Sequence, residues 1–269
     1  MSIVLQLSDT HFGTEQPGVL EALLQLARDH SPDLLVLSGD ITQRARRSQF
    51  EAAVNFLKRM SVPHMLVLPG NHDIPLFNIL GRLISPYRNH QRSFGTNLEP
   101  NFESPDLLVI GVNTTRPSRH TAGRVSAEQV ERVSRRLMSA GAAQLRIVVT
   151  HQPVHVTRGS DLKNLLRGRE AAVQAWSGAG ADLILGGHIH LPHVRPLQEA
   201  FADLPRPVWS VLAGTAVSSR LRGKIPNSVN LIRYQERETP RQCIVERWDH
   251  DTRDAFVLAA SHTLHLQRP

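Results

Sequence analysis

The 269-residue sequence predicts an α/β fold built on a largely parallel sheet. Short apolar runs alternate with stretches of helical periodicity, the pattern of successive βαβ units. No run reaches the roughly 18 apolar residues needed to cross a membrane. Nearly every apolar run also ends in Asp, Asn or His, so the strands carry their chemistry at one end.

In chain order, the strands are expected at 3–7, 33–37, 64–68, 107–112, 145–150, 182–185 and 207–212. Helices are expected over 19–28, 48–59, 126–140 and 169–177. Ser48 with Glu51, and Ser126 with Gln129, have the spacing of a capping box at a helix start. Glu103-Ser104-Pro105-Asp106 reads as a turn between two strands. Residues 74–100 carry Arg82, Arg88 and Arg92 among apolar residues and are expected to form a helical cap beside the active site. Past Pro205 the helical pattern stops, and 228–234, 241–248 and 255–260 read as antiparallel strands. The chain is therefore expected to be one domain over 1–260, with C-terminal strands over 205–260 and a loosely ordered tail over 261–269.

Composition narrows the setting. Hydrophobic residues make up 41% of the chain, enough for a sizeable core. Cys243 is the only cysteine, which excludes an internal disulfide framework. With no basic leader followed by a cleavage site, this suits the cytoplasm. The net charge is +7, and of 31 basic residues only Lys58, Lys163 and Lys224 are lysine. Such a surface favours an anionic partner. The basic clusters do not alternate with aromatics, so no platform for stacking single-stranded nucleic acid is indicated.

The strand ends supply the candidate site. Asp9 and His11 follow the first strand, Gly39-Asp40 the second, and Gly70-Asn71-His72-Asp73 the third. His151 follows the strand at 145–150, and Gly187-His188-Ile189-His190 the strand at 182–185. Loops beyond the carboxyl ends of an open α/β sheet converge on one crevice, so carboxylates, a carboxamide and several imidazoles are expected together. The glycines before Asp40, Asn71 and His188 are expected to let the backbone turn sharply there.

This ordered set resembles the signature of the calcineurin-like metallophosphoesterases, over roughly residues 1–215. The resemblance implies a four-layer α/β/β/α sandwich holding two divalent transition-metal ions: manganese, iron, zinc or cobalt. One ion would be held by Asp9, His11, Asp40 and His190, the other by Asp40, Asn71, His151 and His188. It further implies in-line attack on phosphorus by a metal-bridging hydroxide, with Asn71 and His72 at the substrate and His72 serving the leaving oxygen. Two divalent ions against two carboxylates and one hydroxide leave about one net positive charge, which suits a phosphodiester. Asp73 is expected to be structural. Weaker candidates are 113–116, 213–215, Arg220 and Arg222.

The motif pairing and short chain look most like the bacterial class III cyclic-nucleotide and glycerophosphodiester phosphodiesterases, which implies a small phosphodiester substrate. Three other outcomes stay open: a double-strand-break type nuclease, a UDP-sugar-lipid pyrophosphatase and a non-catalytic scaffold. Nucleic acid and a second copy of the chain stay open as partners. A Ser/Thr phosphatase is disfavoured, because Ile41-Thr42-Gln43 follows Gly39-Asp40 where that branch has Val-Asp-Arg-Gly.

Overall fold

Four consecutive residues, Leu34 to Leu37, are all buried, which is possible only for a strand covered on both faces. The computed structural model, which describes residues 1–236 and 240–267, shows how this comes about. The chain opens with β1 (Ser2–Leu7), α1 (Pro17–His30), β2 (Leu34–Leu37), α2 (Arg47–Arg59) and β3 (His64–Val67). Two short helices follow, α3 (Ile79–Ile84) and α4 (Arg88–Phe94). The second half starts with β4 (Asn101–Glu103), β5 (Leu107–Gly111), α5 (Ala127–Met138), β6 (Leu145–Val149), α6 (Arg169–Gly178) and β7 (Leu183–Gly186). It ends with β8 (His193–Pro196), β9 (Trp209–Leu212), β10 (Ser228–Tyr234), β11 (Gln242–His250) and β12 (Phe256–His265).

Two six-stranded sheets result, in the orders β12-β11-β10-β1-β2-β3 and β4-β5-β6-β7-β9-β8. Pairing is parallel among β1, β2 and β3 and among β5, β6, β7 and β9. Side chains alternate between the two faces of each strand. Val4 and Val36 therefore point between the sheets, towards Val109, Ile147 and Val211. Leu5, Leu35 and Leu37 point outwards, under Leu23, Phe50 and Phe56 of α1 and α2. On the other side Val148 and Ile184 meet Val133, Val173 and Trp176 of α5 and α6. The layers are helix, sheet, sheet, helix, as expected, and the C-terminal strands extend the first sheet.

Except at the end of β12, the ends of the expected strands agree with the sequence reading to within two residues, and the turn at 103–106 joins β4 to β5 as expected. Three details differ, and one capping box forms as expected. The tail is not loose through 261–265, because β12 runs to His265 and buries Leu264 against Cys243; residues 268–269 lie outside the described residues. β8 went unread because it is a short, partly exposed edge strand with no apolar run. Ser126 and Gln129 do exchange the bonds of a capping box. Ser48, by contrast, lies inside α2, and the Gln49 carboxamide accepts the Arg44 and Arg46 amides instead.

One ion pair ties the sheets together. Arg241, just before β11, places both terminal nitrogens on Asp182, just before β7, at 2.7 and 2.8 Å. Both side chains are buried. Replacing Arg241 by Met leaves the buried Asp182 carboxylate with the Arg146 amide but no charge partner, and should cost about 3–5 kcal/mol. Arg241→Met with Asp182→Leu should recover a substantial part of that loss. Urea unfolding of the metal-free single and double variants checks this; equal losses in both would contradict the pairing argument.

Candidate metal centre

The expected residues converge from both sheets. Asp9 and His11 follow β1, Asp40 follows β2, Asn71 and His72 follow β3, His151 follows β6, and His188 and His190 follow β7. Asp9, His11, Asp40, His188 and His190 all have positive φ, between 42° and 71°. Asp and His tolerate this region better than most residues, at a cost of about 1–3 kcal/mol each that the surroundings must hold in place. The turns are thus made largely by the functional residues themselves. Of the three preceding glycines, only Gly39 has positive φ. Gly70 and Gly187 are needed for close approach instead: a Cβ would stand 2.0 Å from the Asp40 amide nitrogen or 1.9 Å from Ser8 Oγ.

The donor atoms fall into two sets sharing Asp40. In the first, His190 Nε2 lies 3.2 Å and His11 Nε2 3.7 Å from Asp9 Oδ1. His11 and His190 face each other through their Nε2 atoms at 3.1 Å, and Asp40 Oδ2 is 3.8 Å from His11 Nε2. In the second, His151 Nε2 lies 3.3 Å from Asp40 Oδ1 and 3.2 Å from Asn71 Oδ1. His188 completes that cluster. Asp40 thus turns one oxygen towards each set.

Two buried atoms test whether this arrangement fits metal. Among the described residues, Asp9 Oδ1 and His188 Nδ1 have no hydrogen-bond partner. A buried acceptor left bare costs about 1–3 kcal/mol. Buried imidazole and carboxylate atoms converging from several loops are what a cation satisfies, so the residues present fit metal ions.

Without a metal, the site's ionisable groups divide. Burial opposes ionisation of Asp9 and Asp40, yet neighbouring imidazoles, His190 and His151 respectively, lower both pKa values overall. Burial pushes His11 down to about 3 and His188 down to about 4, so both rings are neutral lone-pair donors near neutral pH. Burial also disfavours the charged form of His151, but Asp40 outweighs it and raises that ring to about 9.

Around these sets the roles divide. Asp73 accepts four hydrogen bonds, from the amides of Ile41, Thr42 and Gly70 and from the Thr42 hydroxyl, at 2.8–3.0 Å. It fastens the Asp40 loop to the Asn71 loop, the structural role expected of it. Thr215 Oγ1 donates to the Asp9 carbonyl at 2.6 Å, so 213–215 does pack behind the site. Thr114 Oγ1 backs the His151 amide at 3.4 Å, whereas Arg116 turns away onto Gln129. Arg222 is committed to Asp161 and to the Ile189 carbonyl. His155 and His193 pair with each other, outside both sets.

Arg220 is the under-read residue. Its Nη1 stands 3.1 Å from Gln43 Oε1, 3.2 Å from His72 Nε2 and 3.3 Å from His11 Nδ1. Gln43 and His120, whose ring centre is 6.3 Å from that of His72, were not expected at all. All three sit in loops without a motif; only their polarity beside strand ends could have drawn attention.

Comparison with known proteins agrees with this geometry. The model of the calcineurin-like phosphoesterase family matches residues 3–192. The chain belongs to that family. It is a metal-dependent phosphoester hydrolase with a His/Asp metal-binding cluster. It is 25% identical over 199 residues to a probable cyclic nucleotide phosphodiesterase of Synechococcus sp., covering 70% of this chain and 72% of that protein. It is 24% identical over 201 residues to a probable glycerophosphodiester phosphodiesterase of Arcobacter nitrofigilis, covering 70% and 71%. The structure of a dimetal phosphatase from Danio rerio superposes with a TM-score of 0.68 at 13% identity, covering 99% of each chain, and shares the fold.

Asp73→Asn should loosen the family's characteristic centre without removing a donor from either set. An amide cannot accept all four bonds and would turn an N–H towards at least one donor, costing about 2–3 kcal/mol. Thermal unfolding of the metal-free variant should show this; a melting temperature equal to that of the parent would contradict the fastening role.

Proposed function

We propose that this chain is a two-metal phosphodiesterase acting on small diesters such as cyclic nucleotides or glycerophosphodiesters. The observation that carries the reading is Asp40, buried between two donor sets with one oxygen towards each. Asp9, His11, Asp40 and His190 would hold one ion, and Asp40, Asn71, His151 and His188 the other; manganese, iron, zinc and cobalt all suit these donors. When bound, two such ions lower the pKa of coordinated water and withdraw charge from the phosphoryl oxygens.

The chain's own groups complete the site. His72 Nδ1 faces the Gln43 carbonyl at 3.1 Å, which puts the ring proton on Nδ1 and leaves Nε2 as an acceptor towards Arg220. An anionic phosphoryl oxygen is a stronger acceptor than a neutral imidazole. As the guanidinium turns to it, Nε2 is freed to take up a proton from solvent water and pass it to the leaving oxygen. Arg220 would orient the substrate, and His72 would serve as its acid. Asn71 gives the second set a neutral donor at a position where a second carboxylate would add charge against an incoming phosphate.

The preference for diesters over monoesters is supported by the two curated relatives, because the Arg220 cation would serve either ester. A reducing compartment such as the cytoplasm suits a chain whose single cysteine, Cys243, is buried and free. The deciding experiment is a manganese-supplemented hydrolysis panel of cyclic nucleotides, glycerophosphodiesters, DNA, a UDP-sugar and phosphomonoesters. Turnover led by the small diesters supports the proposal; turnover led by DNA or by monoesters overturns it.

His72→Ala should retain metal while slowing hydrolysis of alkyl diesters by about 10²–10⁴-fold. The loss should shrink with a nitrophenyl leaving group, which needs little protonation. Equal losses on both substrates would assign His72 to positioning.

A further inference from the structure

The apolar residues with the least structural explanation lie together. Phe77, Ile79, Leu80, Leu83 and Ile84 are between 68% and 79% exposed, and α3 buries none of its residues. Soluble surfaces seldom gather so many large apolar side chains in so short a segment without a partner. The segment is also held in place. Arg82 donates to the carbonyls of Pro75, Pro117 and Arg119, at 3.1, 2.5 and 2.8 Å. Asn78 caps α3 by accepting the Gly81 amide at 2.8 Å. These bonds fix the platform from which the apolar side chains project.

Arginine dominates the charge around it, and Glu51, which lines a neighbouring pocket with Arg92, is paired with Arg47. No acidic residue occurs between Asp73 and Glu99, or between Asp40 and Glu51. These two stretches carry Arg44, Arg46, Arg47, Arg82, Arg88 and Arg92. The Arg44 guanidinium carbon stands 5.6 Å from the centre of the Phe77 ring. Leu80, Ile84, Arg88 and Arg92 line one pocket of about 350 Å³ between α3 and α4. The acid in that pocket, Asp73, is buried and already accepts four hydrogen bonds. Among the described residues Arg44, Arg46, Arg88 and Arg92 make no ion pair, whereas Arg47 pairs with Glu51.

We propose that this apolar, arginine-rimmed face docks the chain onto an anionic phospholipid surface. The side chains of 77–84 would enter the boundary between headgroups and acyl chains, and the unpaired arginines would meet lipid phosphates. A second copy of the chain complements the face poorly, because a two-fold contact sets the same arginines against each other. The face adjoins the metal centre: the chain runs from His72 into α3, and Arg82 braces the 117–119 loop next to His120. Docking therefore brings the site mouth to the headgroup layer.

Sedimentation of the full chain with vesicles tests this, comparing phosphatidylcholine alone with phosphatidylcholine containing phosphatidylglycerol. Binding should require the anionic lipid and weaken as salt is raised. Phe77→Ser with Leu83→Ser should lower the vesicle affinity by at least about tenfold without changing the melting temperature. Arg88→Gln with Arg92→Gln should lower it severalfold and flatten its salt dependence. The proposal is overturned if the unaltered chain ignores anionic vesicles or if both double variants bind like it. It is overturned equally if gel filtration shows a dimer that Phe77→Ser with Leu83→Ser dissociates, since a second copy would then cover the face. None of these readouts depends on the substrate.

Discussion

A fully buried carboxylate with no arginine or lysine beside it must be compensated by something else, and Asp40 is such a group. It takes the His72 amide at 2.8 Å and faces His151 at 3.3 Å and His11 at 3.8 Å. To reach it, three loops from the first sheet and two from the second approach almost to backbone contact. Gly70 lies against the Asp40 amide, Gly187 against Ser8 and Asp9, and Gly39 against His151. The crowding explains why five functional residues accept left-handed backbone conformations and why Asp73 spends its carboxylate on three amides and a hydroxyl. The two-sheet sandwich is the scaffold that lets both sheets' strand ends close on this one carboxylate.

Most of this was legible in the sequence, because apolar runs and the ligands at their ends are local patterns. The core strands read as short apolar runs, and each of Asp9, Asp40, Asn71, His151 and His188 follows one. The resemblance of the ordered set to one family supplied the second sheet, which alternation alone would not have given. What escaped depended on contacts between distant segments. Arg220 reaches Gln43, 177 positions away in the chain. Gly70 is required by the Asp40 backbone, not by its own φ. Ser48 fits a capping box by spacing, but Gln49 reached the amides first. Residues 261–265 are polar enough to look like a tail, yet β11 supplies the partner strand that orders them.

The chain's charge acquires a place in the same way. As a total, +7 says only that an anionic partner is favoured. In the fold, Arg241 is spent on Asp182, Arg222 on Asp161 and Arg82 on three carbonyls, while Arg220 faces the metal centre. The arginines left beside the exposed α3 are the ones that composition could not single out. Their neighbourhood, apolar at its middle and free of acid along two separate stretches of chain, gives the protein a directional surface next to its site.

The central claim is that Asp40 is the shared member of two metal-binding sets. Electron paramagnetic resonance of the manganese-saturated protein, combined with elemental analysis, tests it most directly. Two ions per chain are expected, with the spectrum of an exchange-coupled pair, and the coupling should be lost in Asp40→Ala. One ion per chain, or two ions with uncoupled spectra in the unaltered protein, would contradict it.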